Sequence, residues 1–227
     1  MGQKISVNLF RAKKRMSNVQ ANSSDVSSLQ KSVWFASGRS YSTLLHQDLE
    51  IRKYLEKELR SAGLVNIIIK RYVRKVEIIL YVTKPGIVIG RGGSTINALR
   101  AKMIKEFNLV KDLKLNIEEF KDPNRSAQVI ANELSFALRK GLPYRRLAKS
   151  FLERIRYSGI PGAKIQIKGR LNKADIARKE EFGYGSIPRH TIDASLDYAL
   201  VHCRTTAGIL GIKVVLYKGD KIKNYQY

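Results

Sequence analysis

A glycine-rich turn at residues 88–94 constrains the fold of this chain more than any other feature. It reads Val-Ile-Gly-Arg-Gly-Gly-Ser and lies between a short apolar segment and an amphipathic helical pattern. Because glycine has no Cβ, such a turn lets the backbone lie close to a partner, and its amides suit a sugar-phosphate chain. We therefore predict a nucleic-acid-binding loop made of Gly90, Arg91, Gly92 and Gly93.

Two other phosphate-binding loops are excluded by the spacing of the glycines. A dinucleotide-binding fingerprint needs Gly-x-Gly-x-x-Gly, and Thr95 stands where its third glycine belongs. A P-loop needs a second glycine where Arg91 stands, followed by Lys-Ser or Lys-Thr, which is absent. A plain flexible loop remains the alternative at this stage, so the surrounding sequence has to decide.

The charge of the chain also favours a polyanionic partner. Its 227 residues contain 43 Lys and Arg against 19 Asp and Glu, a formal net charge of +24. Phosphates of a nucleic acid would relieve this self-repulsion. No apolar run is long enough for a membrane span, and one cysteine with three histidines shows no metal-ligand spacing. We expect no metal, no cofactor and no membrane partner.

The order of elements around the turn identifies a domain. Helical periodicity at 43–62 is followed by strand patterns at 64–70 and 73–82, the turn, a helix that reaches Phe107 with Ser94 as its predicted N-cap, and a strand near 113–117. This order resembles a KH domain of type II topology, in which the glycine turn joins two helices packed on a three-stranded sheet. We expect this domain at 43–120, after an N-terminal basic arm at 1–42. Residues 11–32 also fit an organelle transit peptide, although we favour an arm laid along RNA.

The second half predicts a separate α+β domain at 121–220, with helices on a mainly antiparallel sheet and a short tail at 221–227. Amphipathic helices are expected at 124–140 and from Tyr144 onward, then a strand at 163–168. A short helix at 174–181 and strands at 192–203 and 209–217 complete the pattern.

The helix that begins at Tyr144 carries a basic face. At about 100° per residue, Arg145, Lys149 and Arg156 lie near one another, with Arg146 beside them and the apolar stripe opposite. Residues 139–156 contain seven cations and only Glu153 as an acid. Pairing between residues four apart cannot balance these charges, so we predict phosphate contact rather than an ordinary solvated face.

A series of short segments, in order, resembles the bacterial-type family of universal small-subunit ribosomal protein three. The segments include Val33-Trp34-Phe35-Ala36, Pro85-Gly86-Ile87-Val88-Ile89-Gly90, Tyr144-Arg145-Arg146-Leu147-Ala148-Lys149 and Pro188-Arg189-His190-Thr191. They cover nearly the whole chain from residue 33. The turn has one cation fewer than is usual, and residues 11–32 look expanded and rich in serine.

This resemblance implies a structural protein that binds 16S-type rRNA in the head of the small subunit. It further implies that the protein lines the tunnel through which mRNA enters, beside ribosomal proteins four and five, with ten and fourteen as further neighbours. Two arginines and a lysine that open mRNA structure in that family correspond to Arg145, Arg146 and Lys149. The remaining expected RNA contacts are Arg156, Lys4, Lys168, Arg170 and Arg178. The expected location is a cytoplasmic ribosome, with an organellar one left open.

Two other functions compete with this expectation. A nuclease or DNA-lesion lyase would need an active site, but the acids Glu118, Glu119, Asp122, Glu180 and Glu181 look like solvated charges rather than a metal-binding cluster. A free-standing KH regulator of transcription or RNA maturation would normally carry a further barrel or GTPase segment. We therefore expect no catalytic residues.

Overall fold

The computed structural model describes residues 7, 11, 31–72, 75–107 and 113–220. The chain divides into two compact units, Asn22–Lys121 and a unit that joins Met1–Ala21 to Asp122–Tyr227. Among the described residues, no helix is long and apolar enough to cross a bilayer.

The first unit combines helices with a four-stranded sheet. Its elements are β1 (Ser32–Val33), α1 (Arg39–Glu58), β2 (Leu64–Arg71), β3 (Val76–Val82), α2 (Pro85–Ile89), α3 (Ser94–Phe107) and β4 (Leu113–Glu119). The sheet order is β1-β2-β3-β4; β2 and β3 are antiparallel, while the two outer pairs are parallel. The predicted type II KH topology is confirmed, and β1 adds a short edge strand to the expected three.

The apolar face of α1 covers this sheet. Ile51 and Leu55 are fully buried, and a 3₁₀ turn (Leu59–Ala62) extends the helix to Gly63. Gly63 has φ 69°, and a Cβ there would lie 2.1 Å from Thr83 Oγ1. Only glycine therefore fits this left-handed stop.

A buried carboxylate ties α1 to the strands at the sheet edge. Asp48 is 1% exposed and accepts hydrogen bonds from Arg71 Nε at 2.8 Å and Nη2 at 2.6 Å. Trp34 Nε1 donates to the same carboxylate at 2.7 Å, and Ser32 Oγ lies at 3.2 Å. Asp48 thus holds residues 32–34 and α1 against β2. The segment predicted as an arm, 1–42, includes β1 and the first turn of α1.

The second unit is a two-layer α+β fold, as predicted. Its elements are α4 (Ala127–Arg139), α5 (Tyr144–Tyr157), β5 (Gly162–Gly169), β6 (Arg178–Tyr184), β7 (Ala194–Thr205) and β8 (Gly208–Asp220). The sheet order is β6-β5-β8-β7, and every neighbouring pair is antiparallel. Leu134 of α4 and Ile155 of α5 share one buried cluster with Ile165 and Val214 of the sheet.

The predicted helix at 174–181 is wrong. Residues 178–184 form the edge strand β6, which pairs with β5 from Gly169↔Arg178 to Ala163↔Tyr184. Phe182 and Tyr184 alternate along β6 and pack against the core. The residues before Phe182 favour a helix locally, but pairing with β5 buries the alternating apolar side chains of β6. This tertiary interaction outweighs the local preference.

Arg11 of the N-terminal segment contacts this unit. Arg11 is 2% exposed, and its Nη2 donates to the carbonyls of Arg189 at 3.0 Å and Thr191 at 2.8 Å. Arg11 therefore contacts protein, the Pro188–Thr191 loop, although the arm was expected along RNA. Lys4 and the tail at 221–227 lie outside the described residues.

Candidate nucleic-acid interface

The glycine turn exposes bare backbone at its tip. Gly90 has φ 72° and ψ −176°, and a Cβ there would lie 2.1 Å from Thr95 Oγ1. Gly92 has φ 57°, and a Cβ there would meet no atom within 4 Å. Gly90 is therefore needed to form the turn, whereas Gly92 leaves its outer side open to a partner. Arg91, between them, is exposed.

Apolar side chains that were not predicted to belong to the site lie beside this turn. Ile87 and Ile89 of α2 are 48% and 41% exposed, while Val88 between them is buried. A cation, an open backbone and exposed apolar side chains together suit a single-stranded nucleic acid, with its phosphates on one side and its bases on the other. Ser94, predicted as the N-cap of α3, is its first helical residue, because a 3₁₀ turn at Arg91–Gly93 leads directly into the helix.

Helix α5 separates a buried face from a basic face. Tyr144, Ala148, Phe151, Leu152 and Ile155 are buried on one side. The other side exposes five cations and Glu153; the cations are Arg145, Arg146, Lys149, Arg154 and Arg156. The predicted basic face is therefore present on one helix.

The first cation of the basic face, Arg145, has a protein partner that the sequence did not predict. Arg145 donates through Nη2 to Glu180 Oε1 at 2.8 Å and through Nε to Oε2 at 3.1 Å. The hydroxyl of Tyr144 also donates to Glu180, at 2.7 Å. The hydrogen bonds from Arg145, and secondarily from Tyr144, lower the pKa of Glu180, and the same carboxylate raises the pKa of Arg145. Because the sequence predicts a helix at 174–181, no sequence signal links Glu180 to α5.

Another cation of α5 is also committed to the protein. Arg154 donates to Glu133 at 3.0 Å and to Asn124 at 2.9 Å, and its guanidinium lies 5.0 Å from the Phe151 ring centroid. By contrast, within the described ranges Arg146, Lys149 and Arg156 form no side-chain hydrogen bond or ion pair. These three cations are available to an external anion.

Comparison with known proteins agrees with the two units. A KH-domain family model matches residues 50–125, and one described as "Ribosomal protein S3, C-terminal domain" matches residues 134–216. A protein of Persephonella marina named "Small ribosomal subunit protein uS3" is 40% identical over 192 residues, which is 85% of this chain and 84% of the relative. A protein of the same name from Streptococcus gordonii is 42% identical over 187 residues, which is 82% and 85% of the two chains. The chain belongs to the uS3 family.

Membership of the uS3 family also decides between the competing functions. The family consists of structural proteins of the small ribosomal subunit and not of enzymes, so the nuclease, lyase and free-standing regulator alternatives are set aside. The carboxylates Glu180 and Glu181, considered for an active site, are held by cations: Glu180 by Arg145, and Glu181 by Lys164 and Lys179.

The remaining predicted RNA contacts of this uS3 protein differ in their surroundings. Arg170 donates to Ala174 O at 2.8 Å, Ala207 O at 3.1 Å and Asp175 Oδ1 at 3.1 Å, so it braces two turns. Lys168 of β5 and Arg178 of β6 are exposed.

Proposed function

We propose that this uS3 protein binds 16S-type rRNA in the head of the small subunit and contacts mRNA where it enters the tunnel. The observation that carries the proposal is the exposed face of α5, where Arg146, Lys149 and Arg156 form no side-chain hydrogen bond or ion pair with another described residue and Glu153 is the one acid. A helix face with such an excess of unpaired positive charge is suited to phosphates.

The cations of α5 divide into two roles. Arg146, Lys149 and Arg156 are exposed and form no side-chain hydrogen bond or ion pair within the described part of the chain, so they contact phosphates directly. They are spaced along about 15 Å of helix, enough to follow several phosphates of one strand. Arg145 is held by Glu180, so it fixes α5 to β6 and presents only its outer edge to RNA.

This arrangement would help to open mRNA structure without an active site. A strand that leaves a duplex at the tunnel is gripped through its phosphates, while its former partner strand gains no such contact. Arginine can hold a phosphate with two parallel hydrogen bonds and stays charged at every physiological pH. The cations therefore stabilise the open strand, and movement of the ribosome supplies the work.

The glycine turn takes a second RNA segment in this proposal. Arg91 and the open side of Gly92 contact its backbone, and Ile87 and Ile89 contact its bases. The segment belongs to rRNA or to mRNA. Ribosomal proteins four and five at the tunnel, and ten and fourteen in the head, are the proposed protein neighbours, and the ribosome is cytoplasmic or organellar.

The unwinding role is tested by translation with ribosomes that carry Arg146→Ala and Lys149→Ala together. Both side chains lie away from the buried stripe, so the subunit should assemble and sediment normally. Elongation through a stable hairpin should slow several-fold, while elongation on an unstructured message of the same length should change little.

A matched control removes two other exposed helix cations, Lys53→Ala and Lys57→Ala on α1. This control should slow neither message selectively. An equal slowdown of both messages by the α5 variant, or none on either, would show that these residues are ordinary rRNA anchors.

A further inference from the structure

The sheet of the second unit has one face that no described helix covers. In β5, Ala163, Ile165 and Ile167 point into the core beneath α4 and α5. Side chains alternate along a strand, so Lys164, Gln166 and Lys168 lie on the opposite face. This opposite face, which we call the open sheet face, is continued on β6, β8 and β7 by the residues that pair with these three and by their neighbours in register.

Positive charge dominates the open sheet face. Its cations come from all four strands and are Lys164, Lys168, Lys179, Arg204 and Lys213. Its one described acid is Glu181, which contacts Lys164, lies 2.5 Å from Lys179 Nζ and accepts a hydrogen bond from Gln166 at 2.7 Å. Among the described residues of this face, one carboxylate thus faces four cations besides Lys213.

The strand register adds to this imbalance. Lys168 of β5 lies directly opposite Lys179 of β6 in the antiparallel ladder. Like charges at directly opposed positions destabilise a sheet, and Lys168 is exposed rather than buried against a counter-ion. A polyanion on this face would remove the repulsion.

The same face changes character towards β7. Lys213 Nζ lies 5.1 Å from the ring centroid of Tyr198, its diagonal neighbour across the β7–β8 pair. Leu200, directly opposite Lys213, is 50% exposed, and Ile209 on β8 is 59% exposed. Cations beside an aromatic ring and exposed apolar side chains form a surface on which phosphates and unstacked bases can both be bound.

We propose that the open sheet face is a second RNA-binding surface of this domain, on the side of the sheet opposite α5. The sugar-phosphate backbone lies across the lysines of β5 and β6, and bases lie against Tyr198 and Leu200. The proposal rests on the proposed function, since it assumes that the chain binds ribosomal RNA. An acidic protein segment is the competing occupant, and RNA is favoured because cations of β5, β6 and β7 lie on this face with Glu181 as the single described acid among them.

The test uses the full chain and a transcript of the head domain of small-subunit rRNA, with affinity measured over a range of KCl concentrations. The variant Lys168→Gln should bind more weakly, and its slope of log K against log salt should be shallower by about 0.7 to 0.9, as expected for one lost phosphate contact. The control Lys53→Gln with Lys57→Gln on α1 should keep the wild-type slope.

A gain in affinity gives the sharper test. Glu181→Gln removes the one described carboxylate of the open sheet face while keeping a hydrogen-bonding side chain, so RNA should bind severalfold more tightly. An unchanged melting temperature establishes that each variant is folded. Adding Arg146→Ala and Lys149→Ala to either variant should lower log K by the same amount as it does in the wild-type chain. The two effects should be independent because the two surfaces lie on opposite sides of the sheet.

The outcomes separate the two proposals. An unchanged slope in the lysine variant, or no gain with Glu181→Gln in a folded protein, overturns the RNA-binding role of this face. Loss of a neighbouring protein from reconstituted particles with an unchanged RNA slope overturns it in favour of a protein contact. Failure of the wild-type chain to bind the transcript with a steep slope would instead contradict the proposed function itself.

Discussion

At the residue scale, two adjacent arginines on one helix have different tasks. Arg145 and Arg146 are both exposed, yet Arg145 is bound to both oxygens of Glu180, and Arg146 has no side-chain partner among the described residues. The difference is set by β6, which brings a carboxylate from 35 positions later in the chain to the first turn of α5. Charge alone does not distinguish them.

Single substitutions should therefore separate stability from RNA binding. Arg145→Ala leaves Glu180 with Tyr144 as its remaining neutral partner, so the melting temperature should fall by about 1 to 3 °C, as expected for a surface pair. Arg146→Ala should leave the melting temperature unchanged and weaken binding to rRNA with a shallower salt dependence. Thermal unfolding and RNA titration of the two variants provide the comparison.

The conservative variant Arg145→Lys is the control, since it keeps the charge but loses the two-pronged contact. It should recover only part of the stability lost in Arg145→Ala. If Arg145→Ala and Arg146→Ala reduced RNA binding equally and left stability unchanged in both, the division of roles would be wrong.

At the element scale, the sequence predicts the amphipathic helices and the order of elements in the KH domain. It does not predict strand β6 or the protein groups that bind the cations of α5. The stripe containing Phe151 and Ile155 in α5 follows from helical periodicity, because a single face is buried. β6 lies at a sheet edge and begins with Arg178, Lys179, Glu180 and Glu181, so its local sequence does not favour a strand. Its identity depends on pairing with β5, a non-local interaction that sequence periodicity does not report.

A second element-scale feature that sequence could not supply is the bond network of Asp48. Helical periodicity places Asp48 on the apolar face of α1, but its partners Arg71, Trp34 and Ser32 lie elsewhere in the sequence. Asp48→Ala leaves Arg71, whose side chain is 10% exposed, without its counter-ion, so we expect a loss of about 3 kcal/mol in the free energy of unfolding.

Fluorescence provides a local readout for this substitution. Trp34 is the only tryptophan in the chain, and its indole Nε1 donates to Asp48, so its emission reports on this site alone. Urea unfolding followed by tryptophan emission should show both the lower stability and a shifted native spectrum. Glu50→Ala, at an exposed acid of the same helix, should change neither; an equal effect of the two substitutions would contradict the network.

At the scale of the whole molecule, the net charge of +24 agrees with the three surfaces that we propose to bind RNA. The glycine turn belongs to one unit, and the basic face of α5 and the open sheet face lie on opposite sides of the sheet in the other. The charge predicted the class of partner from sequence, because net charge depends only on composition. Which cations are available could not be predicted, because Arg154 and Arg170 are bound by groups distant in sequence.

Contact between α5 and mRNA is the central claim, and site-directed crosslinking tests it most directly. Cys203 is the only cysteine and is fully buried, so an introduced Ser150→Cys on the exposed face of α5 can be labelled selectively with a photoreactive group. Thr206→Cys, in the exposed turn between β7 and β8 at the far edge of the sheet, is the matched control. In ribosomes carrying a defined message, the Ser150→Cys label should crosslink to mRNA downstream of the decoded codon, and the Thr206→Cys label should not. Crosslinks from Ser150→Cys to rRNA alone, with none to mRNA, would contradict the claim.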